Sequence, residues 1–72
     1  MSRNILLTKI DTEVEKINNL IEGGHLEEVR RTRLATHNEQ LQNLKKQVQS
    51  ETVDVTEAED EFAKLKRSLE SI

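Results

Sequence analysis

The chain has 72 residues, of which 33% are hydrophobic and 35% are charged, and its net charge at neutral pH is −3. It contains no cysteine, proline or tryptophan, which excludes a disulfide framework and leaves packing of apolar side chains as the source of stability. So few hydrophobic residues favour narrow apolar stripes on helices over a thick core. We predict a single helical domain over residues 1–72.

Neither the hydropathy nor the charge of the chain points to a membrane or a nucleic acid as its main partner. No apolar run reaches the roughly 18 residues of a membrane span, and the first residues lack the apolar core of a signal peptide. The net negative charge disfavours nucleic acid. We therefore expect an intracellular protein, in the cytoplasm, whose partners are proteins.

The first periodic segment precedes the glycine pair Gly23-Gly24. Its apolar residues recur at intervals of three and four, which places them on one helix face at heptad core positions. They are Leu7, Ile10, Val14, Ile17 and Ile21. Ser2 or Asn4 can cap the N-terminus, and a glycine can end the helix in the left-handed conformation. The pattern predicts a helix over residues 4–22.

The second segment resumes the heptad pattern after the glycines. Its aliphatic core positions are Leu34, Leu41, Leu44 and Val48. Earlier in the segment the stripe is polar, because Arg30, Arg33 and His37 stand where aliphatic residues would be expected. We predict a helix over residues 25–50 whose first half carries polar side chains on its packing face.

The third segment repeats the pattern to the C-terminus. Its packing-face residues are Val55, Phe62, Leu65 and Leu69, and Ala58 and Ile72 share their spacing. Residues 50–56 are rich in cap-forming and β-branched types, and Asp54 and Glu57 have the spacing of a capping box. These features predict a break and a separate helix over residues 55–71, hence an all-α antiparallel three-helix bundle with coiled-coil-like packing.

One alternative is a helical hairpin with a single long second helix over residues 25–72. The heptad register supports it, since Val48 and Val55 are in phase across the proposed break. Half of that helix would find no cover within the chain, so the hairpin would oligomerise to bury it. In either fold, opposite charges favour antiparallel packing. Lys45 and Lys46 would meet the acidic group at residues 57–61, and the cations Lys64, Lys66 and Arg67 would approach Glu39 or, further along, Glu27 and Glu28.

No arrangement of residues predicts catalysis or ligand chemistry. His25 and His37 are twelve residues apart, about 120° around a helix, so one helix cannot present both to a metal. The acidic residues are spaced as solvated helix faces, and no nucleophile and base converge by helical spacing. We predict no catalytic residue, no metal, no cofactor and no small-molecule ligand.

The function predicted from these features is a non-enzymatic module for protein–protein interaction or assembly that associates with itself through the apolar heptad face. Arg30, Arg33 and His37 would form a polar layer that selects the partner helix, at some cost in stability. One alternative is a small regulatory adaptor that binds a groove on an enzyme, polymerase or chaperone. A second is a nucleic-acid accessory protein that uses the arginines at residues 30–33.

Overall fold

The computed structural model describes residues 2–70, and this range folds into three α-helices. Helix α1 spans Arg3–Glu22, α2 spans Glu28–Gln49 and α3 spans Val55–Glu70. The helices pack side by side as a rod of 36 × 18 × 16 Å, whose length matches the roughly 33 Å of a 22-residue helix. The predicted all-α three-helix bundle is confirmed.

Contacts between the helices fix their directions. Lys45 Nζ in α2 lies 2.7 Å from Asp11 Oδ1 in α1, and Asn38 Nδ2 donates to Asn18 Oδ1 at 2.8 Å. Residue numbers rise along one helix as they fall along the other, so α1 and α2 are antiparallel. Lys66 of α3 approaches Glu13 of α1, with Nζ 3.9 Å from Oε1, and α3 turns back along α2 to run parallel to α1.

The alternative of one unbroken helix over residues 25–72 is wrong, because α2 ends in a tight turn. Glu51 has a φ of 59°, and its amide donates to the Val48 carbonyl at 3.3 Å. The Thr52 amide donates to the Gln47 carbonyl at 3.2 Å. These two bonds form a Schellman motif, which satisfies the last carbonyls of α2 and reverses the chain. The register continues because Val48 and Val55 face the same core from either side of this turn.

The start of α3 agrees with the predicted break. The Ala58 amide donates to the Asp54 carbonyl at 2.9 Å, which puts Asp54 at the N-cap position of a helix that begins at Val55. Ser71, predicted as its last residue, and Ile72, predicted on its packing face, lie outside the described residues.

The predicted start of α2 at residue 25 is wrong by three residues. Gly24 takes the left-handed conformation with a φ of 72°, and Glu27 occupies the N-cap position of α2. The residues between them form a connection in which His25 is exposed and Leu26 packs against the core. The chain needs these extra residues to reverse direction and bring Leu26 back over the bundle.

Ten buried apolar side chains from all three helices form the core. They are Leu6, Ile10, Val14, Ile17, Leu34, Leu41, Leu44, Val48, Ala58 and Phe62. The other members of the predicted packing face are half-buried at its edge, and they are Leu7, Ile21, Val55, Leu65 and Leu69. Near the start of α1, Leu6 is fully buried and the predicted Leu7 is half-buried. Both lie on the packing face because α1 packs against two other helices and so buries a broader stripe than a coiled-coil seam.

The two ends of the rod differ. The closed end comprises the start of α1, the end of α2, residues 50–54 and the start of α3. Here Arg3 Nη1 donates to the carbonyls of Val48, at 2.8 Å, and Val53, at 3.5 Å. One side chain of α1 therefore contacts both the end of α2 and the turn that follows it. The open end comprises the end of α1, residues 23–27, the start of α2 and the end of α3.

Ion pairs between helices differ from those predicted. Lys45 pairs with Asp11 of α1 instead of the acidic group of α3, and Lys66 approaches Glu13 of α1 instead of Glu39. The difference arises because the flank of α2 that carries Lys45 faces α1. Antiparallel charge matching in sequence could not distinguish between two candidate neighbours.

Candidate interaction surface

Over residues 2–70, the described part of α3 is shorter than α2. The helices contain 16 and 22 residues, and the six-residue difference corresponds to about 9 Å of helix. Leu69, near the end of α3, borders the same hollow as Leu34, so the first six residues of α2 extend beyond the described part of α3.

Aliphatic side chains are exposed at this end. Leu20 in α1 is 51% exposed and Val29 in α2 is 65% exposed, while Leu26 between them is half-buried. Single exposed aliphatic residues are common on soluble proteins. Two exposed residues beside the half-buried Leu26, on adjoining elements of one end, are more informative, because exposed apolar patches mark sites of contact with other molecules.

Two adjoining hollows lie among these side chains. The first, of about 260 Å³, lies between the three helices and is lined by Leu20, Leu26, Arg30, Leu34 and Leu69. The second, of about 370 Å³, lies over the first turn of α2 and is lined by His25, Leu26, Glu27, Val29, Arg30 and Arg33. Because both are bordered by Leu26 and Arg30, they form one continuous surface that is apolar towards the bundle axis and charged at its rim.

Charged side chains of both signs lie at this surface. Arg30 and Arg33 line the hollows, opposed there by the carboxylate of Glu27. Arg31 does not line the hollows in the same way. Its Nη2 donates to the Leu26 carbonyl at 3.4 Å and so holds the connection between α1 and α2. Glu27 makes no side-chain hydrogen bond as the N-cap of α2, so the positive end of the helix dipole adds to the arginine charge.

The predicted polar layer is only partly brought together. Arg30 and Arg33 share a hollow, but both side chains are exposed and neither lies in the packed seam. His37, one turn further along α2, is half-buried, and its Nδ1 is buried without a hydrogen-bond partner among residues 2–70. A role for these three residues in selecting a partner stays a prediction.

A second surface, the groove between α1 and α3, was missed by the sequence analysis. It has a volume of about 600 Å³, with Leu6, Phe62 and Ala63 among its lining residues and lysines and carboxylates along its sides. Glu13 is buried beside it, with Oε1 3.4 Å from Lys16 Nζ. The sequence offered one sign of this groove. Glu13 precedes the core residue Val14 in α1, and a carboxylate buried there requires a cationic neighbour.

Within residues 2–70, no three side chains of the metal-ligating types His, Asp and Glu come together as a group that could hold an ion. No helix in the same range is long and apolar enough to cross a membrane. Comparisons of the chain with protein-family models, with curated proteins and with solved structures found no match.

Proposed function

We propose that this chain is a non-enzymatic protein-interaction module that contacts its partner through the open end. The observation that carries the proposal is the pair of hollows at which Leu20, Leu26 and Val29 meet Arg30 and Arg33. Arginine is enriched in protein interfaces, and exposed apolar groups that adjoin each other mark sites of contact with other molecules. The core supports the bundle without Leu20 and Val29, so these aliphatic groups are available for a partner.

The heptad face is a weaker candidate for the contact surface. Its aliphatic residues pack within one chain, buried or at the edge of the core. Self-association through this face was most strongly motivated by an unbroken helix, which would have left the stripe from Val48 onwards uncovered. We therefore favour the adaptor alternative, in which the bundle contacts a different protein.

Nucleic-acid binding has less support than protein binding. Arg30, Arg31 and Arg33 follow closely on Glu27 and Glu28, and these carboxylates reduce the positive field that would attract phosphates. The aliphatic side chains at the same surface offer no stacking platform for bases. A protein segment with apolar side chains could contact both the aliphatic groups and the arginines of this end.

Matched serine substitutions in a pull-down test the proposal. The Leu20→Ser/Val29→Ser variant removes the exposed aliphatic groups of the open end. The control Ile5→Ser removes an aliphatic side chain at the closed end that is 53% exposed. We expect wild type and control to retain a stoichiometric partner from the lysate of producing cells, and the open-end variant to lose it.

Two results would overturn the proposal. One is retention of the same proteins by both variants, because the open end would then contribute nothing to capture. The other is a dimer or larger oligomer of the purified chain that forms within a hundredfold concentration range, seen by light scattering, and survives the open-end substitutions. That result would return self-association through another face to first place.

A further inference from the structure

We infer that the groove between α2 and α3 binds a basic amphipathic helix of another protein. This groove has a volume of about 390 Å³ and shares no lining residue with the two hollows of the open end. It is therefore a second interaction surface, on the side of the rod. Three of its features select the occupant: the charge of its lining, its apolar floor, and the helical spacing of its polar walls.

The lining of this groove is acidic. Glu57 and Glu61 of α3 are exposed and border it, and among residues 2–70 no lysine or arginine does. The α1–α3 groove differs, because three lysines there lie with three carboxylates. Lys46 and Lys64 are adjacent in sequence to lining residues, but they lie outside the lining and form no ion pair within the described range. A cationic partner would supply the missing opposite charge.

The floor of the groove is apolar. Leu44 is buried there, and Val53 and Leu65 are half-buried at the edge of the core. An aliphatic side chain of the partner would remove the exposed parts of Val53 and Leu65 from water. Apolar contacts below and charged contacts at the sides are the requirements of an amphipathic helix that lies in a groove.

Both polar walls of the groove repeat with helical spacing. Gln40, Asn43 and Gln47 line it from α2, and Glu57 and Glu61 line it from α3. Side chains three or four residues apart on a helix have Cβ atoms about 5–6 Å apart, and the α2 wall extends for about 10 Å, or two turns. A partner helix with arginines three or four residues apart can therefore face both carboxylates. Its guanidinium groups can also donate hydrogen bonds to the amide oxygens.

A second copy of this chain does not meet these requirements. Its most concentrated basic segment, residues 30–33, follows directly on Glu27 and Glu28, and Arg31 already donates to the Leu26 carbonyl. Docking of this segment would bring two further carboxylates towards an acidic groove. Such a head-to-tail contact would also leave a free groove on the last copy and extend without closing.

Synthetic helical peptides test the inference on the full chain. Three of them share one pattern of leucines and differ only in the flanking polar residues, which are Arg, Gln or Glu. We expect the Arg peptide to bind most tightly and to shift the amide resonances of Leu44, Glu57 and Glu61 in ¹⁵N-edited NMR spectra. Its affinity should fall as salt is raised, because the charged groups are exposed. An Arg peptide with serines in place of the leucines should bind at least about tenfold more weakly.

Neutral variants of the groove sharpen the test. In Glu57→Gln/Glu61→Gln we expect the affinity for the Arg peptide to fall about three- to tenfold and its advantage over the Gln peptide to disappear. Glu61→Gln alone gives a smaller change in the same direction and serves if the double variant does not fold. The control Glu15→Gln/Asp60→Asn makes the same change in net charge at two exposed residues outside this groove and should keep the wild-type preference.

Four results would overturn the inference. Equal binding of the Arg, Gln and Glu peptides would show that charge does not select the occupant. Resonance shifts confined to the open end or the α1–α3 groove, or no shift with any peptide at millimolar concentration, would remove the site. Equal shifts with spermidine would favour a small polyamine over a helix. Oligomers that grow with concentration in light scattering and are lost in Glu57→Gln/Glu61→Gln would favour a second copy. The open end is tested separately, by its serine substitutions.

Discussion

The two ends of the bundle use the same kinds of residue to opposite effect. At the closed end, Leu6 and Val48 are fully buried, and Arg3 donates hydrogen bonds to carbonyls of the α2 terminus and the following turn. At the open end, Leu20 and Val29 are exposed. The difference shows that an aliphatic residue on an amphipathic helix stabilises the fold only where another helix reaches it.

Truncation of neighbouring aliphatic residues of α1 should show the largest contrast. Ile17 is fully buried and Leu20 is 51% exposed. We expect Ile17→Ala to lower the free energy of unfolding by about 2–4 kcal/mol and Leu20→Ala to change it by about 0.5 kcal/mol or less. Urea unfolding followed by circular dichroism measures both. Equal losses would mean that Leu20 is packed as tightly as the core residue Ile17.

Loss of the Arg3 side chain should have the next largest effect. Arg3→Met removes the hydrogen bonds to Val48 and Val53 but keeps an apolar stem, and we expect a loss of about 1–2 kcal/mol. The control Lys9→Met replaces an exposed cation of the same helix and should change stability by about 0.5 kcal/mol or less. Hydrogen exchange at residues 50–54 should quicken in Arg3→Met alone, and unchanged protection there would contradict the bracing role.

The two left-handed residues, one at each end, predict effects of opposite sign. Glu51 has a φ of 59°, so Glu51→Gly should relieve backbone strain. We expect it to raise the free energy of unfolding by about 0.5–1 kcal/mol, which a higher melting temperature would show. Gly24 has a φ of 72°, and a Cβ added there would meet no atom within 4 Å. Gly24→Ala should therefore cost about 1 kcal/mol through the backbone alone. Stabilisation by Gly24→Ala would refute the assigned turn.

The ion pair between α1 and α2 should contribute least. Lys45 Nζ lies 2.7 Å from Asp11 Oδ1, but the Asp11 side chain is 55% exposed. Solvent therefore screens the attraction between the two charges. A double-mutant cycle with Asp11→Asn and Lys45→Met should give a coupling energy of about 0–1 kcal/mol that falls in high salt. A coupling unaffected by salt would mean that the pair is shielded from water.

The heptad spacing predicted most of the fold because it records which residues of each helix face the core. Ile10, Ile17 and Leu41 were placed on the packing face and are buried. Capping residues around Asp54 predicted the break that the register alone opposed. The prediction placed Leu7 on the packing face, where it is half-buried against the core, but it missed the fully buried Leu6. It was wrong at residues 25–27, which form a connection before α2.

The open end could be predicted only in part. Arg30 and Arg33 were identified because they interrupt an aliphatic stripe, but the stripe predicted them in a packed seam. Their exposure depends on how α2 and the described part of α3 lie alongside each other, which no local pattern encodes. Leu20, Leu26 and Val29 gave no distinct signal, because an aliphatic residue beside a stripe is common on any helix.

The sequence by itself determined three amphipathic helices, their order and the chemistry of the face that each buries, since these follow from side-chain spacing and caps within a few turns. Tertiary structure alone decided the neighbours of each helix, the pairing of Lys45 with Asp11, and the end at which the bundle stays open. These depend on the relative lengths and lateral positions of helices distant in sequence. The open end belongs to this second group.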